Sequence, residues 1–403
     1  AAIASVTSDA ATLTAANTAA DATASAVAVV AGQTFTLTTG LDNKTLGAGA
    51  DQAFATDSAT PADDTFNVSD KVDGGAGDDT FFLTLNDTAA NVDYTPSRIT
   101  NFENLSLTNI DDDDSLTVDV SLMGVTGIEN AASTEAVIVD SVTAGTTLSV
   151  TGATAATTMN VKGTGLTGTA DNLVLSLTGA SGAVTVNSDS SQDYETATVA
   201  VEGVNTSQVT VKDAGNAAAI TSLTVTGTGS WDIEAGGNLA SELTTLDASA
   251  NTGGVTFDAG NAGTTLTGGA GNDALTGGTG NDVISGGAGD DALVMVSGID
   301  SIDGGAGNDT VTVAGLTEDD SIVGGDGVDT LIIDTAIAYD DEATPTPIDN
   351  AANISGFEVL RGTAALSQDM AALSGIVALQ STGGVLTATE ASDIADFFAF
   401  GLT

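Results

Sequence analysis

Residues 268–294 read GGAGNDALT, GGTGNDVIS and GGAGDDALV, three successive nonapeptides in the frame G-G-x-G-x-D-x-U-x, where U is a bulky aliphatic. Residues 295–303 (MVSGIDSID) lose the first two glycines but keep Gly298, Asp300 and Ile302, and 304–312 (GGAGNDTVT) restore the full pattern. After a two-residue insertion, 315–323 keep only Asp320 and Ile322, and 324–332 (GGDGVDTLI) close the series. A short fixed period of this kind marks a solenoid. A flexible Gly/Asp-rich linker would not hold an aliphatic in register through five consecutive nonapeptides.

The frame has a physical reading. Glycines allow a sharp turn with inward-facing carbonyls over the first six residues. The last three form a short strand whose U side chain points inward. Two nonapeptides then make one flattened coil, and coils stack about 4.8 Å apart. That stacking places Asp273, Asp291 and Asp309 in a column on one edge, with Asp282 and Asp300 on the other. Carboxylates stacked so closely repel unless a cation sits between them. Calcium suits the site because it accepts about 6–8 oxygen ligands in flexible geometry, whereas magnesium demands near-octahedral order. One aliphatic per nonapeptide returns little against the entropy of ordering nine residues. The 268–332 region is therefore expected to fold only on binding calcium.

Outside this block the repeat thins out. Residues 250–258 and 259–267 place Phe257 and Leu266 at the U position without the aspartate, and a strong isolated copy stands at 74–82 (GGAGDDTFF), preceded by Asp70 and Val72. A second motif, ITNFENL at 99–105, is echoed at 125–130 (VTGIEN) and 354–360 (ISGFEVL). Its aliphatics suit a rung-closing strand, with Glu103, Glu129 and Glu358 near a turn. Asp111–Asp114 read as a solvated acidic loop, and Trp231 as packing. Short alternating segments such as Leu173–Leu177 and Thr196–Val201 are β-strands of a solenoid or a β-sandwich, between which periodicity cannot decide. TPTPIDN at 344–350 reads as a surface loop and ATEASDIADFF at 388–398 as a helix.

The chain divides into an Ala/Thr-rich leader (1–32), a first β-region (33–130), a Thr/Val-rich β-region (131–258), the β-roll (259–332) and a C-terminal β/helical segment (333–403). The fold class is all-β: a parallel β-roll with further solenoid or sandwich regions.

Composition narrows the function. Asp plus Glu number 55 against 6 Lys plus Arg, a formal net charge of -49. Such a surface repels nucleic acid and anionic lipid, and no apolar run is long enough for a transmembrane helix. Hydrophobic residues make up 41% of the chain, too many for a disordered acidic tail. Neither cysteine nor histidine occurs, which removes disulfides, thiolate sites, Ser-His-Asp and Cys-His nucleophiles and imidazole proton shuttles. Aromatics are 4% of residues, so platforms for stacking sugars or bases are scarce. The chain begins at Ala1 without a secretory signal pattern, as a processed form or a fragment would.

At 74–82 and 268–332 the sequence resembles the RTX (repeats-in-toxin) family. TFTLTTGLDN, ITNFENLSLT and the long Thr/Ala/Val-rich middle resemble the RTX-type surface-layer (S-layer) proteins of Gram-negative bacteria. The resemblance implies a parallel β-roll binding Ca2+, export by type I secretion, an extracellular place on the cell surface, and calcium-driven self-assembly. It maps the metal-ligand aspartates onto Asp79, Asp273, Asp282, Asp291, Asp300, Asp309 and Asp329. Anchoring to a surface polysaccharide or lipopolysaccharide is a family trait that no segment here clearly supplies.

Three functions follow from different classes. The first is a non-enzymatic subunit of an extracellular lattice or filament, joined to copies of itself. The second is a calcium-dependent adhesin or ice-binding solenoid with a threonine face. The third is an RTX enzyme using paired carboxylates, for which no catalytic motif stands in the sequence.

Overall fold

The computed structural model describes residues 31–333 and 353–398, except 59, 61, 68, 87–91, 95, 97, 112–114, 163–165, 167–170, 190–193, 213–219, 234–242, 261–262, 318, 363–365, 370–375, 382–385 and 390–395. Among these residues the regular structure is β-strand, and every strand pairing is parallel. One sheet of 15 strands runs from Thr34–Thr36 to Ile354–Ser355, each strand hydrogen-bonded to its counterpart one coil on. The return strands form the other faces. They comprise three strands (Asn43–Thr45 to Ile99–Thr100), six (Val92–Tyr94 to Val209–Lys212) and ten (Val204–Asn205 to Asp396–Phe398). A further pair joins Leu366–Asp369 to Leu386–Thr389. The molecule is a parallel β-solenoid. Pairing continues unbroken across residue 130 and across residue 258.

Alternation in the sequence becomes inside and outside in the coil. In Thr196–Glu202 (TATVAVE), Ala197, Val199 and Val201 are buried while the intervening side chains face outward. Parallel register then stacks like on like: Leu175, Val199 and Val225 lie one above another. A sandwich would pair neighbouring strands antiparallel. The middle of the chain is therefore more solenoid.

In the repeat block the U residues form two inward ladders. One runs Phe257, Leu275, Leu293, Val311, Leu331, Leu360. The other runs Leu266, Ile284, Ile302, Ile322, Ile354. The weak copies at 250–267 thus join in register. In the middle coils the corners are held by buried neutral side chains. Asn205 accepts from the Ala180 N–H and donates to the Glu202 carbonyl, and Asn251 accepts from the N–H groups of Gly253 and Gly254. Trp231 is core, its indole N–H donating to the Ser207 carbonyl at 3.2 Å.

Two expectations are corrected. Within 388–398, the described residues at each end are strand, in Leu386–Thr389 and Asp396–Phe398, because each finds a parallel partner. Asp111 is buried, not a solvated loop residue. Residues 112–114, the 344–350 loop and residues 1–30 of the leader lie outside the described residues.

Candidate metal centre

The tight turns bring the aspartates into two columns. In the first, the Asp273 N–H donates to Asp291 Oδ1 at 2.7 Å, Asp291 N–H to Asp309 Oδ1 at 2.8 Å, and Asp309 N–H to Asp329 Oδ1 at 2.8 Å. In the second, Asp282 N–H donates to Asp300 Oδ1 and Asp300 N–H to Asp320 Oδ1, both at 2.8 Å. One carboxylate oxygen of each residue thus stitches coil to coil. In Asp282, Asp291, Asp300, Asp309 and Asp329 the other oxygen is left over.

For Asp79, Asp282, Asp291, Asp300, Asp309 and Asp329, the remaining Oδ2 is buried and has no hydrogen-bond donor. An unpaired buried carboxylate oxygen is costly, so these atoms call for a cation. Asp273 differs, with Oδ1 accepting from the Val255 N–H and Oδ2 from the Gly269 N–H. Asp70 and Asp320 are likewise bonded through both oxygens.

In the Asp79, Asp282, Asp291 and Asp309 repeats the first glycine lets the backbone pack directly against the orphaned oxygen. A methyl group on Gly304 would lie 2.6 Å from Asp309 Oδ2 and against the Gly324 carbonyl oxygen. One on Gly286 would lie 2.5 Å from the Gly304 carbonyl and against Asp291 Oδ2. At Gly74 it would sit 2.9 Å from Asp79 Oδ2 and against the Asn101 carbonyl. Carboxylate and carbonyl oxygens of neighbouring coils therefore come close together at these turns. Among the described residues no three acidic side chains gather at one point; carbonyls supply the other donors. An all-oxygen cradle fits a hard divalent ion. In the second column Met295 occupies the position of the first glycine in the Asp300 repeat, and the cradle is less complete there.

A family model for the RTX calcium-binding nonapeptide repeat matches four stretches, residues 69–85, 258–293, 297–313 and 312–332. These are RTX repeats. Calcium is the ion they take, and the RTX coils that provide the orphaned oxygens are the matched stretches. Comparison with curated proteins finds no match to the chain.

The RTX columns extend further than the repeat pattern shows. Asp51 Oδ1 accepts from the Gln33 N–H, and the Asp51 N–H donates to Asp79 Oδ1; Asp42 N–H donates to Asp70 Oδ1. Residues 37–54 (LTTGLDNKT and LGAGADQAF), outside the matched stretches, keep a glycine and an aspartate at the same two places of the nine-residue frame, with Lys44 and Ala53 at U. The spacing of glycine and aspartate was the signal; the absent aliphatic hid it. Glu358 also enters the first column, and Glu103 continues the separate line of Asp51 and Asp79, whereas Glu129 lies in strand register with Ser106 and accepts from its hydroxyl.

Burial raises the carboxyl pKa of Asp79, Asp273, Asp300, Asp309 and Asp329, and pushes Asp291 up to about 7. A raised carboxyl favours the metal-free fold while protonated, and that support is lost as pH rises through the folded pKa. Calcium takes only the ionised form, so it competes with the proton. Protonation of Asp291 below about pH 7 should therefore let the calcium-free roll keep more of its structure than it does at about pH 8. Circular dichroism of the chelated chain at about pH 8 and about pH 6 checks this; identical spectra would mean that burial in the roll does not raise these carboxyls.

Proposed function

We propose that this chain is a structural, non-catalytic subunit of an extracellular surface layer, whose folding and lateral self-assembly both depend on calcium. The observation that carries the reading is a single parallel solenoid, continuous from residue 34 to residue 355, in a chain whose formal net charge is -49. RTX repeats occur typically in secreted, extracellular proteins, where calcium is abundant. Two molecules so strongly anionic repel one another at close range. Divalent ions both fill the columns and screen the faces, so one ion couples the folding of a subunit to its packing against the next. Export by type I secretion and attachment to surface polysaccharide or lipopolysaccharide belong to this proposal. No helix among the described residues is long and apolar enough to cross a membrane.

A calcium-dependent adhesin or filament is the second reading. On the six-stranded sheet Thr158, Thr185 and Thr210 stand in register. The column is short, with Ile138 beside Thr158, so it offers a small flat face only.

Electron microscopy of the purified chain separates these readings. Ordered two-dimensional arrays are expected in millimolar calcium and dispersed particles in chelator. Filaments would favour the second reading, and dispersed particles at all calcium concentrations would overturn the lattice.

A further inference from the structure

We infer that the ITNFENL and ISGFEVL segments are calcium-binding caps: Glu103 and Glu358 replace the next aspartate in the column and complete one terminal calcium site at the end of each RTX block. The inference rests on the reading of the repeats as calcium sites and assigns residues outside the matched repeats.

The two segments are built alike. Val72 and Asp73 pair with Ile99 and Thr100, and pairing resumes at Thr80 with Asn104. Five turn residues, 74–78, are thus replaced by two, Asn101 and Phe102. At the other end Ile322 and Val323 pair with Ile354 and Ser355, and pairing resumes at Thr330 with Val359. Here 324–328 are replaced by Gly356 and Phe357. The first residue of each short turn is left-handed, Asn101 at φ 55° and Gly356 at φ 74°. The second buries a phenylalanine.

A shortened turn draws the backbone back, and glutamate is longer than aspartate by one methylene. That length restores the reach. The Asp79 N–H donates to Glu103 Oε2 at 2.9 Å, and the Asp329 N–H to Glu358 Oε2 at 2.8 Å, as aspartate does for aspartate elsewhere in the column. The Asn104 N–H bonds the Asp79 carbonyl and the Val359 N–H the Asp329 carbonyl, which keeps both glutamates in column register.

An independent observation points to an ion. Asp79 Oδ2 and Asp329 Oδ2, on side chains fully buried, have no donor. Gly74 brings the Asn101 carbonyl of one cap close to Asp79 Oδ2, and Gly324 packs against the Gly356 carbonyl of the other cap beside the Asp329 side chain. Each terminal site therefore has the oxygens of an internal one, with glutamate for aspartate. Glu195 supplies the contrast. It accepts from the Asp171 N–H at 2.8 Å, but Asp171 is only half-buried and neither of its carboxylate oxygens is a buried one without a donor.

The test is calcium titration of the full chain by calorimetry, with E103Q, E358Q and E195Q. Glutamine keeps an acceptor for the aspartate N–H and removes the charge. E103Q and E358Q should each weaken one ion at least about tenfold, the loss that even outer partners of a metal ligand can cause; E195Q should match the parent. Hydrogen exchange of the parent chain is the second measurement and needs no variant. Amides of 101–105 and 354–360 should gain protection at the calcium midpoints of 74–82 and 324–332, while 194–197 should not respond. Parent-like binding by both cap variants, or calcium-independent protection of the caps, overturns the inference and leaves the repeat sites standing. A parent chain that binds no calcium would instead remove the reading beneath it.

Discussion

Chelation of calcium is expected to unfold the main RTX block and leave the middle coils folded. Hydrogen exchange should lose protection across 264–333, while 127–251 stays protected. Two physical differences drive this. Strands of the main repeat block bury one or two apolar side chains, as Ala274–Thr276 buries Leu275 and Ala292–Met295 buries Leu293 and Met295, whereas Asn172–Thr178 buries Leu173, Leu175 and Leu177. At about 1.5–3 kcal/mol per buried aliphatic, such a middle strand gains more than a main-block strand. The corners differ as well. Asn205 and Asn251 satisfy the middle turns without charge. Asp291, Asp309 and Asp329 stack charge on charge, at about 3 kcal/mol of repulsion for a pair about 5 Å apart at an effective dielectric constant near 20. Calcium reverses the balance. At a free concentration about a hundred times its dissociation constant, each bound ion adds about 2.7 kcal/mol to the folded state. Retained protection in 283–313 after exhaustive chelation would show that the columns are stable without metal.

How much of this was legible in the sequence depended on what each signal encodes. The U positions were legible because a solenoid interior accepts only apolar groups; Leu275 through Leu331 all point inward as the frame requires. The aspartate columns were legible because a fixed period implies a fixed rise. Asp51 and Asp42 were hidden for the converse reason. Ala53 and Lys44 break the aliphatic signal, and an insertion lengthens the coil from Asp51 to Asp79 to 28 residues against 18 in the main block. The middle region read equally well as sandwich or solenoid, since alternation reports which side is buried and not strand direction. The three glutamate motifs looked equivalent, yet Gly127 pairs with Asn104, so Thr126 takes the register place of Glu103 and Glu129 falls on the outer face. Only pairing register, which depends on turn length, separates a cap from a strand.

Gly286→Ala is expected to abolish one calcium site without removing any ligand. Gly286 is buried, and its φ lies outside the left-handed region, so alanine meets no conformational penalty there. The added methyl would instead clash with Asp291 Oδ2 and the Gly304 carbonyl and push apart two of the oxygens assigned to the ion. Overpacking of this kind costs about 1–3 kcal/mol, and excluding the ion removes its stabilisation as well. The calcium midpoint for folding of 264–333 should rise by about tenfold or more, at about 1.4 kcal/mol per factor of ten. Gly40→Ala is the control, since a methyl there meets only Thr38 Oγ1, at 3.8 Å. Circular dichroism across a calcium titration reads both variants. The natural sequence points the same way: Met295 holds the equivalent position in the Asp300 repeat, and that cradle is the less complete one. A parent-like midpoint in Gly286→Ala would place the ions away from the glycine cradles and refute the proposed geometry, even with every aspartate in place.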